Sequence, residues 1–143
     1  MRVLVSGLIG IAALANLSVQ ADPVSDAFQP NCEIVMGDEY HRDWLESLDV
    51  TVSEVCSCME NMAGEKADEE QMQLDLALQE TADEMTANSV DAMQASSQLS
   101  ASVVGQAAGD PNAMQLLKGL SASRQLMFDM RDSYNTAGVC PVS

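Results

Sequence analysis

Residues 50–64 read VTVSEVCSCMENMAG, and the fold follows from how this stretch is read. Thr51 and Glu54 have the spacing of a capping box, in which the hydroxyl of the first takes the amide of the second and the carboxylate reaches back to the Thr51 amide. Val50 and Val55 stand where a hydrophobic staple belongs. Val52, Val55, Cys56, Met59, Met62 and Ala63 then recur at helical spacing, and Gly64 supplies a stop. Cys56 and Cys58 therefore share one short helix. Two helical steps rotate the chain by about 200°, so the two side chains diverge and do not bond each other.

The chain has two other cysteines, Cys32 and Cys140. With Cys56–Cys58 excluded, two of the three pairings remain. Cys56 shares the core stripe and is placed to meet the end of the last helix, whereas Cys58 lies nearer the side an N-terminal arm would reach. This favours Cys32–Cys58 with Cys56–Cys140 over Cys32–Cys56 with Cys58–Cys140. Either way the short helix clips both ends of the chain, each bond being worth about 3–4.5 kcal/mol in the chain-entropy description.

The same segment holds the residue types that bind Cu(I): Cys56, Cys58, Met59 and Met62. The divergence of the cysteines and the fit of both methionines to the apolar stripe favour the structural reading, so no metal or cofactor is expected. A thiol exchange site is disfavoured because Glu54 and Glu60 flank Cys56 where basic groups would be needed.

Outward from this helix, residues 22–36 carry Pro23 and Pro30 and little periodicity, and read as an extended arm. A single helical domain is expected over residues 37–143. Gly37-Asp38 opens a helix with Tyr40, Trp44 and Leu48 in register and Leu45 beside them. His41, the only histidine, sits among Asp38, Glu39 and Asp43 and reads as one histidine on a solvated acidic face.

Asp68 and Gln71 open a third helix, and no Pro or Gly interrupts residues 65–104. A single helix from Asp68 to Ala108 would span roughly 60 Å, which makes a break near Asn88-Ser89 or Ser96-Ser97 attractive. Leu78, Met85, Ala92 and Leu99 recur every seven residues, with small residues between, as a close-packing seam. Asp110 and Pro111 start the last helix. Its core face is Leu116, Leu120, Ser123, Met127, Met130 and Tyr134, widened by Leu117 and Phe128, and Gly138 ends it. The fold class is all-α: a small antiparallel bundle of three to four helices, clipped by disulfides.

Residues 1–21 have a basic start, a run of roughly 15 apolar or small residues and an Ala-terminated small-residue end, the pattern of a cleaved secretory signal. A membrane span needs about 20 apolar residues, so no stable anchor is expected after cleavage. The chain is thus expected to be exported, to the periplasm or the medium of a bacterium, where even-numbered cysteines pair.

The first 21 residues hold one of the six Lys and Arg and none of the 22 acids, leaving five bases against 22 acids, a charge of −17, after the cut. That excludes nucleic acid, whose phosphates need a basic stripe, and anionic lipid surfaces. A basic protein partner fits. The sequence has no phosphate loop, nucleophile elbow or paired-histidine motif. The expected function is therefore a non-enzymatic protein-binding or interaction module. A self-associating envelope accessory protein is the second reading, and a copper carrier or thiol redox protein using the C-x-C-M-x-x-M segment is the third.

Overall fold

The Thr51–Glu54 capping box is present in the computed structural model, which describes residues 24–142. Thr51 Oγ1 accepts the Glu54 amide at 3.2 Å, and Glu54 Oε2 accepts the Thr51 amide at 2.8 Å. The hydrogen bond from the Thr51 hydroxyl, and then that from its amide, hold the Glu54 carboxyl below its ordinary range. The expected signal over residues 1–21 lies outside the described residues.

The described residues form six helices and no strand: α1 (Phe28–Met36), α2 (Glu39–Leu48), α3 (Val52–Gly64), α4 (Asp68–Asn88), α5 (Ala92–Val104) and α6 (Pro111–Ala137). The all-α class holds; the count of three to four helices does not. Two places account for the difference.

The first is the expected arm. Phe28, Cys32, Val35 and Met36 fall at i, i+4, i+7 and i+8 and are all buried, so residues 28–36 form an amphipathic helix and not an extended strand of chain. Pro30 does not prevent this, because it stands in the first turn, where its missing amide has no helical partner. Ahead of α1, Val24 is buried in the core and the Ser25 amide donates to Asp75 Oδ2 of α4 at 2.9 Å. The second place is the long uninterrupted stretch. It breaks at Ser89, which takes the left-handed conformation (φ 51°) and closes α4. Asp91 then caps α5 by accepting the Gln94 amide at 2.7 Å.

The seventh-residue seam therefore belongs to two helices. At Gly119, α6 approaches α4 so closely that a Cβ would overlap the Gln73 carbonyl oxygen. Asp110 and Pro111 open α6 and Gly138 (φ 72°) ends it, as their residue types predict. Phe128, expected to widen its core face, is 66% exposed.

The disulfides are Cys32–Cys56 and Cys58–Cys140, each with Cα atoms 5.7 Å apart. The favoured pairing, Cys32–Cys58 with Cys56–Cys140, is corrected to the other of the two. The reason is α1. As a buried helix it occupies the core side of α3, the side that Cys56 faces. The C-terminal segment returns along the other flank, to Cys58.

Candidate functional site

The sulfur-rich segment singled out by the sequence is core. Cys56 and Met59 are fully buried and Cys58 and Met62 nearly so. Met59 Sδ lies 3.9 Å from Cys32 Sγ, and Met62 Sδ lies 3.9 Å from Cys58 Sγ. All four cysteines are oxidised, so the segment offers no thiolate to a soft metal. No group of three or more His, Cys, Asp or Glu suited to a metal ion occurs among the described residues.

A different constellation forms around Asp38. It is the N-cap of α2, its Oδ1 accepting the His41 amide at 3.1 Å. Its Oδ2 accepts the Ala92 amide at the start of α5 at 2.7 Å. One carboxylate thus ties together the positive ends of two helices. Beside this junction, bounded by α1, α2, α4, α5 and α6, lies a cleft of about 440 Å³, within the size range of small-molecule sites.

The floor of the cleft is buried and mostly apolar: Val35, Leu78, Ala92, Thr81 and His41. The Thr81 hydroxyl is satisfied by the Ala77 carbonyl at 2.7 Å. The walls carry Ser96, Ser97 and Ser100 from α5 and Ser123 and Met127 from α6, with Met93 and Tyr40 exposed at the rim.

Arg124 reaches across from α6, donating to Ser100 Oγ at 2.6 Å. It forms no ion pair among the described residues, whose two pairs are Lys66–Glu70 and Lys118–Glu69. Arg131 is engaged differently, lying 4.6 Å above the Trp44 ring. None of the described residues lining the cleft is acidic.

His41 is 1% exposed, which corrects its reading as a histidine on a solvated face. The buried stripe of α2 is His41 and Leu45, one position away from the expected Tyr40 register; Glu39, Tyr40 and Asp43 point to solvent. Burial pushes the imidazole pKa below its ordinary value, Asp38 opposes that shift and Arg131 adds to it. Its Nδ1 is buried and has no hydrogen-bond partner among the described residues.

Sequence reasoning missed Arg124 and the α5 serines because neither shows a motif. The signal that could have found them is a gap in charge. Residues 92–128 hold one acid, Asp110, and two bases, Lys118 and Arg124, in a chain with 22 acids and six bases.

No family model matches the chain, and neither a curated protein nor a solved structure does.

Proposed function

We propose that this protein is a non-enzymatic interaction module of an oxidising extracytoplasmic compartment, and that it docks a basic protein partner through the α5–α6 face. The observation that carries the reading is the segregation of charge. Helices α2, α3 and α4 carry most of the acids, and only two ion pairs form among the described residues. Residues 92–128 are nearly uncharged and expose Met93, Val104, Met114 and Phe128. An apolar centre with a charged surround is the anatomy of a protein-binding surface, and the unpaired carboxylates would speed the approach of a basic partner.

Two disulfides support the compartment, as does the leader-like pattern of residues 1–21. No described helix is long and apolar enough to cross a membrane.

The test is retention of a partner from native envelope extract under low- and high-salt washes. Retention should fall as salt screens the pairing. It should also be lost in a Met93→Glu, Phe128→Glu double variant and kept in Met72→Glu, which alters an exposed methionine of α4. Partners held only in a salt-insensitive manner would count against the reading, and a monodisperse self-assembled species on size exclusion would favour the accessory-protein alternative.

A further inference from the structure

We propose that the cleft beside Asp38 is a binding site for a small amphipathic monocarboxylate, with its apolar body on the Val35–Leu78 floor and its carboxylate on Arg124 and Ser100 at the mouth. This goes beyond the docking of a protein partner and does not depend on it.

Three features of the cleft select this class. Its floor is buried and apolar, which favours a hydrocarbon body of several carbons. Leu78 is 2% exposed and Val35 3%, so a hydrocarbon body there gains mainly by covering Met93 and Met127, the more accessible apolar residues of the lining. The serine hydroxyls of the cleft are Ser96, Ser97 and Ser100 on α5 and Ser123 on α6, with Ser100 and Arg124 bridging the two helices, while on the floor the Thr81 hydroxyl is spent on the Ala77 carbonyl. A guanidinium among neutral hydroxyls gives the slot one charged anchor, which suits a ligand with one polar head.

The sign of the head follows from charge. A cationic ligand would be served by carboxylates, of which this chain has 22, yet none among the described residues lines the cleft. The nearby Asp38 carboxylate is committed to the His41 and Ala92 amides. Among the described residues the one charge lining the cleft is Arg124, and it has no carboxylate partner there. The side chain of a guanidinium is suited to a bidentate carboxylate. His41 completes the floor as a neutral ring, because burial disfavours its charged form.

Decanoate, decanol and decyltrimethylammonium, below their aggregation thresholds, separate the elements of the proposal when titrated into the full disulfide-bonded chain and followed by amide NMR shifts. Decanoate should shift Met93, Ser96, Ser100 and Arg124, and should bind about tenfold tighter than decanol, the scale of a hydrogen bond to a charged group. Arg124→Gln should bring decanoate to the level of decanol, whereas Lys118→Gln, an equal charge change elsewhere on α6, should leave it unchanged. Ser123→Phe should fill the mouth and weaken both ligands. If that variant does not fold, Arg124→Gln alone decides. Equal affinity for decanol, binding of the ammonium probe as tight as decanoate, an unaltered Arg124→Gln, or shifts centred on Met72 and Met114 would each overturn the assignment.

Discussion

The Asp38 carboxylate and the Ala92 amide are joined by a 2.7 Å hydrogen bond across 54 residues of chain. The other oxygen of the same carboxylate caps α2, so one side chain joins the starts of α2 and α5, two of the five helices that bound the cleft. Asp38→Ala removes an N-cap, at about 1 kcal/mol, and strands the part-buried Ala92 amide, at about 1 kcal/mol more. Urea unfolding should therefore show a loss of about 2 kcal/mol, the sum of those two costs. Asp38→Asn keeps an acceptor and should lose about half of that. Hydrogen exchange should show the first turn of α5 losing protection in Asp38→Ala ahead of α3, whose capping box is separate.

Two glycines make an internal comparison. A Cβ at Gly119 would meet the Gln73 carbonyl oxygen and carbon and the Ala77 Cβ, and backbone cannot swing aside as a side chain does. Gly119→Ala should cost about 2 kcal/mol despite its gain in helix propensity, because the overpacking falls on the α4–α6 contact. Gly105 has ordinary right-handed helical angles and nothing within 4 Å of a Cβ. Gly105→Ala should be neutral or stabilising by up to about 1 kcal/mol, through the unfolded chain. Thermal unfolding of the pair reads the difference directly, and an equal response at both positions would show that α4 and α6 are not in backbone contact.

The elements legible in the sequence were those with local chemistry: the Thr51–Glu54 box, the Asp38 start of α2, and the Asp110-Pro111 and Gly138 ends of α6; of the two breaks the sequence offered, Asn88-Ser89 occurs, whereas α5 runs unbroken through Ser96-Ser97. What escaped was set by tertiary contact. Helix α1 has no side-chain N-cap bond and carries Pro30, so only burial of Phe28, Cys32, Val35 and Met36 makes it a helix. With α1 unseen, the core side of α3 went to the wrong partner and the favoured disulfide pairing followed. His41 resembled a surface residue because its sequence neighbours are acidic, yet Glu39 and Asp43 point to solvent and Asp38 is spent on capping α2 and holding the Ala92 amide. The cleft had no motif at all: Arg124 and Ser100 are 24 residues apart and meet only because α5 and α6 lie side by side.

His41 makes stability depend on pH in a defined window. Its folded-state pKa is lowered from 6.5, chiefly by burial, so the unfolded chain takes up a proton at a higher pH than the folded one. The contribution of the neutral ring is complete above about pH 6.5 and is lost as pH falls toward the folded value. Asp38 acts against the shift and Arg131 with it. The Glu54 box should weaken only in a lower range, below 4.5, because its pKa is also lowered. Unfolding midpoints measured from pH 7.5 to 5 should therefore fall on acidification, and His41→Phe should flatten the profile. A midpoint that rises over this range would assign control to relief of acid–acid repulsion and not to His41.

The two disulfides differ in access and in what they hold. Cys32 and Cys56 have no exposure, whereas Cys140 is half-buried against a nearly buried Cys58. Exchange requires a thiolate to reach a sulfur, so limiting reductant should open Cys58–Cys140 first. Alkylation and mass mapping of the singly reduced chain should find label on Cys58 and Cys140 together; label on Cys56 and Cys140 would establish the opposite pairing. The consequences for stability also differ. The bonds span sequence separations of 24 and 82, for which chain entropy gives about 3.5 and about 4.5 kcal/mol. Cys58→Ala with Cys140→Ala should cost about 4 kcal/mol, within that entropic range, and release the segment after Gly138. Helix α1, still tied to α3 through Cys32–Cys56, should keep its amide protection in that variant. If α1 and the C-terminal segment lose protection together, the two bonds hold one cooperative unit and not two separate ends.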